Sequence, residues 1–318
     1  GSTVTPDNID LVRKIESLLS GNHLTPGLAS QRPLPHMNRG THHRRAVFTD
    51  LDGTLLGSDH QLSERNRETL KHLGDLGVQR IVVTGRSLYS CDRVLDEAFP
   101  IDMLVTSSGA GIFSYPPVQP LQHFGLGVVE IAQAITVLED LQLDFMVHAP
   151  VPDNHHFCWR RFSQHNADFD RRLALYAGCH QLLQPNETPQ AGATQLLAVV
   201  SAADPAGLHD VLSQRLPGLN VLRTTSPLDH CSTWYEIFPT SVCKSHAAAW
   251  ICEHLNLNAQ TALAVGNDYN DLDLLRWAGV SCVVANAPAE LSREFVVVAH
   301  HSEGGFSDAV SHWLTSFN

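Results

Sequence analysis

The chain has 318 residues, 43% apolar and 17% charged, and its 21 basic and 33 acidic side chains give a formal charge of −12. That length suits two domains and that composition a sizeable core, while an acidic chain gains little from a phosphate backbone, which argues against a nucleic-acid partner. No apolar run approaches the ~18 residues of a membrane helix, and the first residues lack the basic and apolar regions of a secretory signal, so a cytoplasmic protein without a membrane role is expected.

Residues 5–20, TPDNIDLVRKIESLLS, predict a helix with Thr5 as N-cap, Pro6 in the first turn and an apolar stripe from Leu11 to Leu19. Residues 21–43 show no period and read as a linker, so 1–43 form an N-terminal helix and linker. AVFTD (46–50) is a short apolar run ending in acid, a buried strand; SERNRETLKHLGDLG (63–77) runs as a helix from a Ser cap to a Gly stop. RIVVTG (80–85) and DMLVTSSG (102–109) predict two more strands. Strands alternating with helices imply a parallel, doubly wound, Rossmann-like α/β sheet. The pattern resumes with a helix over 244–255, strands over 261–266, 281–286 and 295–299, and a closing amphipathic helix over 304–317.

The segment between differs. Helices are expected over 128–141 and around 167–183, and strands over 144–149, 195–202 and 233–238, with Pro, Asn and His interrupting them. This predicts a core built from residues 44–112 and 239–318, with an inserted α+β cap over 113–238. The seven cysteines form no CxxC pair, and neither a disulfide framework nor a zinc site is expected.

Chemistry gathers at the predicted strand ends. FTDLDGTLL (48–56) puts Asp50 and Asp52 where ligands bind in doubly wound sheets, beyond the carboxyl end of a strand, and Gly53 turns the chain away. Thr84 and Gly85 end the second strand, where a hydroxyl and a free N–H suit phosphate oxygens, although a Thr-Gly pair is more often a plain turn. Lys244 opens a helix and by itself reads as a surface lysine. GNDYND (266–271) crowds Asp268 and Asp271 with Asn267 and Asn270 after an apolar run; these like charges need a positive partner. Asp273 reads as a solvated helix residue.

In this order, DxDGT, a strand-end Thr, a Lys and a G-N-D-x-N-D loop resemble the haloacid dehalogenase superfamily of phosphohydrolases. The large insertion between Thr84 and Lys244 is similar to that of its Cof-type subgroup, as are TSSGAGI (106–112), YEIFPTSVCKSHA (235–247) and VVANAP (283–288). The resemblance implies a phosphatase of small phosphorylated metabolites, sugar phosphates first. Asp50 is then the nucleophile that forms an aspartyl-phosphate, and Asp52 the acid and base, carrying the proton that Asp50 lacks. Thr84, Gly85 and Lys244 hold phosphoryl oxygens, and Mg²⁺ sits among Asp50, the Asp52 carbonyl and the 266–271 loop, where the candidates are Asn267, holding the ion directly or through water, and Asp268 or Asp271, the latter slightly favoured, supplying the missing charge.

Two departures stand out: Gly266-Asn267 where most relatives have Gly-Asp, and Ser107-Ser108-Gly109 where they have Ser-Asn-Gly. Asn267 leaves a catalytically weak, sugar-phosphate-binding regulatory protein as one rival reading; a sugar phosphomutase is another. Further substrate contacts are expected from Asn270, Asn286 and Arg160. The last lies in DNHHFCWRR (153–161), where His155 and Arg161 are also anion-binding candidates against a solvated basic face.

Overall fold

The computed structural model describes residues 45–201 and 207–317, so the helix expected over 5–20 and the linker after it lie outside the described residues. In chain order, β1 (Ala46–Thr49), α1 (Glu64–Asp75), β2 (Gln79–Val83), the short α2 (Leu88–Cys91) and β3 (Met103–Thr106) come first, followed by β4 (Gly111–Ser114) and β5 (Gln119–His123). The middle segment supplies α3 (Val128–Asp140), β6 (Phe145–His148), β7 (Phe157–Arg160), α4 (Ala167–Leu175), β8 (His180–Leu182), β9 (Gln195–Val200), α5 (Leu208–Arg215), β10 (Leu219–Thr225) and β11 (Thr233–Pro239). The last segment brings α6 (Lys244–Leu255), β12 (Leu263–Gly266), α7 (Leu272–Trp277), β13 (Val280–Val284), α8 (Ala289–Glu294), β14 (Val296–Val298) and α9 (Gly305–Thr315).

Eight strands form one sheet in the order β14-β13-β12-β1-β2-β3-β4-β5, parallel from β14 to β3 and antiparallel beyond. All four residues of β1 are buried. Strand alternation sends Val47 to the face covered by Leu70 and Leu73 of α1 and by Phe306, Val310 and Trp313 of α9, and Ala46 and Phe48 to the face covered by Ala248 and Ile251 of α6 and Leu274 of α7. Helices on both faces are why AVFT reads as a continuous apolar run. Ser63 starts α1 by accepting the Asn66 N–H at 3.2 Å, as its sequence position predicts.

The second sheet has six strands, β10-β11-β9-β6-β7-β8, antiparallel except for β7 with β8. Phe145 and Val147 of β6 pack on α3 and α5, while Met146 faces an aromatic cluster with Phe157, Phe169, Tyr176 and Trp234. The expected boundary at 112/113 falls inside β4: the large sheet takes two antiparallel strands, through His123, before the chain crosses to the small sheet. The helix expected around 167–183 stops at Leu175, because His180–Leu182 pairs with the otherwise open edge of β7. Among the described residues no helix is long and apolar enough to cross a membrane.

Candidate active site

From β1 the chain winds one way through β2 and β3, and the later strands β12, β13 and β14 fill the other side. The carboxyl ends of β1 and β12 therefore part at a switch point, where doubly wound sheets open a crevice. A cavity of about 610 Å³ starts there and reaches the small sheet; Asp50, Asp52, Thr84, Gly85, Asn267, Asp268 and Asn270 all line it. Residues separated by more than two hundred positions thus meet because their strands are neighbours.

Lys244 stands behind the cavity floor, fully buried, and its Nζ donates to Asp50 Oδ1 at 2.7 Å and to Asp271 Oδ1 at 2.5 Å. Burial works against the ammonium, but Asp271 and then Asp50 hold it above the ordinary lysine range. Burial also pushes the Asp50 carboxyl up to about 7, against the pull of Lys244. The positive partner that the acidic loop requires is, for Asp271, this lysine.

Asp271 also accepts the backbone N–H groups of Asn267 (2.8 Å) and Asp268 (3.0 Å) on Oδ2. Both of its oxygens are thus taken by protein donors, which moves it from the expected metal ligands to the group that shapes the loop and anchors Lys244. Gly266 makes this possible: a Cβ there would lie 2.6 to 2.7 Å from the Asp271 side chain. Asp273, expected in solvent, instead accepts the Ser245 N–H at 2.7 Å and fixes the first turn of α6, which carries Lys244.

Asn267 occupies the corner between the two strand ends. One terminal atom of its amide lies 3.2 Å from Asp50 Oδ2, 3.2 Å from the Asp52 carbonyl oxygen and 3.0 Å from Thr54 Oγ1. With nitrogen in that place the amide donates to all three; with oxygen there, Thr54 donates to it and three oxygens converge. Gly53, at φ +69°, lets the β1 loop come this close, since a Cβ would sit 2.8 Å from the Asn267 amide. Asp268 is half-buried, with Oδ1 accepting the Tyr269 N–H at 2.8 Å; burial raises its carboxyl above the ordinary range.

Asp52 turns the other way. Arg86 grips both its oxygens, Nε to Oδ2 and Nη2 to Oδ1, each at 2.6 Å, and His60 Nδ1 lies 3.3 Å from Oδ1. This opposes the expected division of one proton between the two acids: the raised carboxyl is Asp50, and Asp52 has no oxygen free of the guanidinium. Thr84 is buried, and its Oγ1 accepts the Arg86 N–H at 3.1 Å, which leaves the hydroxyl proton to donate. Arg86 was missed in the sequence because an arginine in a turn carries no spacing signal.

Two expected substrate contacts fare differently. Arg160 is spent within the small-sheet region, paired with Glu139 and donating to the carbonyls of Leu183 and Gln184, and it does not line the cavity. Asn286 does line it, but its amide is engaged, donating to Gly53 O at 2.9 Å and accepting the His301 N–H at 3.3 Å. Instead, the far wall carries Arg172, whose guanidinium lies over the Trp234 ring (4.7 Å) and the Tyr176 ring (5.2 Å), with a buried Nε that has no hydrogen-bond partner. His148, Gln195 and Glu236 complete that wall; burial drives the His148 imidazole down to about 3 and the Glu236 carboxyl up.

A model of the haloacid dehalogenase-like hydrolase family matches residues 47–311. The chain belongs to that family. This haloacid dehalogenase-like protein is a phosphatase, similar over most of its length to proteins so named. It is 26% identical over 282 residues to an HMP-PP phosphatase of Yersinia pseudotuberculosis, covering 86% of this chain and 96% of that one. It is 22% identical over 267 residues to a putative phosphatase of Haemophilus influenzae, covering 83% and 95%. Its fold matches a phosphatase from Bacteroides thetaiotaomicron with a TM-score of 0.69 at 18% identity over 88% and 98% of the chains. A subclass IIB sugar phosphatase matches at 0.66 and 17% identity, over 85% and 98%.

Proposed function

We propose that this phosphatase hydrolyses small phosphorylated metabolites, sugar phosphates first, with Asp50 as nucleophile and Mg²⁺ as cofactor. The observation that carries the reading is the placement of Asp50: a buried carboxylate at a strand end that lines the cavity, with Oδ1 on Lys244 and Oδ2 beside the Asn267 amide.

The corner residues fit the ion. Octahedral Mg²⁺ with oxygens at ~2.0–2.1 Å needs neighbouring oxygens about 3 Å apart, and an Asn267 amide oxygen in that place lies 3.2 Å from both Asp50 Oδ2 and the Asp52 carbonyl oxygen. Asp50, Asp52 and Asn267 would hold Mg²⁺, with Asp268 supplying nearby negative charge. When bound, the ion offsets charge on the transferring phosphoryl group.

The chain's own groups do the rest. Asp50 attacks phosphorus as the bond to the leaving oxygen breaks; Asp52 protonates that oxygen, then takes a proton from the water that cleaves the aspartyl-phosphate. For Asp52 to carry a proton, Arg86 must release one of its oxygens, and a phosphoryl group arriving beside Thr84 gives the guanidinium another anion to bind. Lys244 stays on Asp50 and keeps it oriented. Residues 124–238 act as a cap whose wall, with Arg172 and Trp234, selects the group attached to phosphate. That aromatic and cationic wall also suits HMP-PP, the substrate in the name of the Yersinia relative.

The test is a phosphate-release screen with Mg²⁺ over hexose, pentose and triose phosphates and HMP-PP. Turnover of at least one of them supports the reading; a requirement for an activating bisphosphate, with no net phosphate release, would identify a mutase instead.

Two further outcomes concern the ion. Asn267→Asp should lower the Mg²⁺ concentration that gives half-maximal activity and Asp268→Ala should raise it, each by about 5- to 30-fold, since a nearby charge in a partly buried site is worth roughly 1–2 kcal/mol. Mg²⁺ titrations of initial rate decide this, and an unchanged midpoint in both variants rejects the assignment. Because burial raises Asp50 to about 7, a proton occupies it below that pH and the ion must displace it. The half-activating Mg²⁺ concentration should therefore rise towards about tenfold per pH unit below neutrality and level off above it. A flat dependence between about pH 8 and about pH 5.5 would contradict it.

A further inference from the structure

The small sheet holds a second cluster of ligating side chains away from the cavity floor. His155 and His156 directly precede β7 and Cys179 directly precedes β8; these strands pair in parallel with Phe157 opposite His180. Parallel pairing brings the residues ahead of the two strands together, and the Phe157 N–H donates to Cys179 O at 3.0 Å. As a result, one ligand atom from each of His155, His156 and Cys179 lies within 4.8 Å of the other two.

These groups are uncommitted where their neighbours are not. His180 receives the Trp159 indole N–H on Nδ1 and reaches Leu173 O through Nε2, both at 3.1 Å, and His148 Nδ1 is on Asn154 O at 2.8 Å. By contrast, His155 Nδ1 is buried without a hydrogen-bond partner, which costs free energy unless something binds it. Cys179 is a free, half-buried thiol. The His155 ring stacks on Tyr89 at 4.4 Å and 10°, and its centroid lies 4.2 Å from that of His156. His156 and Cys179 also border a separate cavity of about 380 Å³ that includes Glu187, so a fourth ligand has room to enter.

We propose that His155, His156 and Cys179 bind a borderline-soft divalent ion of the zinc class, a site distinct from the oxygen-lined corner at Asp50. Two imidazoles and a thiolate favour Zn²⁺ over Mg²⁺. Zinc–nitrogen bonds of ~2.0–2.1 Å and zinc–sulfur bonds of ~2.3 Å set tetrahedral ligand atoms roughly 3.5 Å apart, so the cluster closes by about 1 Å through side-chain rotation. The ion ties the starts of β7 and β8 together, and through the His155–Tyr89 stack it also fixes the small sheet against α2 beside Arg86. The spacing rules that excluded zinc from the sequence look for ligands close along the chain; here strand pairing spans the gap from 156 to 179.

The full chain, with excess Mg²⁺ to occupy oxygen sites, is titrated with Co²⁺ and monitored for thiolate-to-cobalt charge-transfer absorption. One equivalent should give the band, Zn²⁺ should displace it, Cys179→Ser should abolish it, and Cys231→Ser and Cys158→Ser should leave it. His156→Ala should shift the titration midpoint at least about tenfold. No band, or one that survives Cys179→Ser, overturns the proposal. A second measurement needs no variant: Zn²⁺ should slow alkylation of Cys179 but not of the exposed Cys231 in the wild-type chain, read by mass spectrometry of the peptides. Equal protection of both cysteines, or of neither, also overturns it.

Discussion

Asp50→Asn should lower kcat by about 10⁴-fold or more while the protein still folds. The amide keeps the shape of the carboxyl but cannot form an aspartyl-phosphate. Stability should change by no more than roughly 1 kcal/mol, because Lys244 keeps Asp271 at 2.5 Å and the loss of one buried charge offsets the loss of its ion pair. Steady-state rates with the best substrate of the screen, together with urea unfolding, measure both. Near-native turnover in Asp50→Asn would end the proposed mechanism.

Lys244→Met should be the more damaging change to the fold. Methionine fits the volume but leaves Asp50 and Asp271 facing one another with no cation, and removing one partner of a buried ionic group costs about 3–5 kcal/mol. Turnover should also collapse, since Asp50 loses its orienting donor. Adding Asp271→Asn to Lys244→Met should recover much of the stability and none of the activity. A single-variant cost below about 1 kcal/mol would show that the triad contributes little to the native state.

Much of the large sheet was legible because its signals are local. A continuous apolar run ending in Asp50 reports a strand covered on both faces, and Ser63 and the Lys244 segment report helix starts. The site was legible as residue types at strand ends taken together, since Asp50, Thr84, Lys244 and Asn267 in this order resemble the family's motifs although Thr84 alone reads as a plain turn. What stayed hidden depends on partners distant in sequence. Whether Asp271 faces an ion or Lys244 is decided by the direction in which α6 enters, and Arg160 looked available because nothing local reveals Glu139 of α3. Arg86 and Arg172 gave no signal, as a lone arginine in a turn or on a helix looks like any solvated one. The strands β4, β5, β7 and β8 are short, and sheet pairing outweighs their weak intrinsic preference.

The uncharged amide at Asn267 bears on how the protein fares between turnovers. A carboxylate in that corner would press a fixed negative charge against Asp50 Oδ2 and the Asp52 carbonyl whenever no cation is bound, a standing repulsion inside the native state. An amide carries no net charge in that corner, so this repulsion is absent when no cation is bound. On the proposed Mg²⁺ role, folding would then depend little on ion supply, at the cost of a weaker grip on the ion. On the proposed Mg²⁺ dependence, the rate of this phosphatase would follow free magnesium in the cell while its abundance would not.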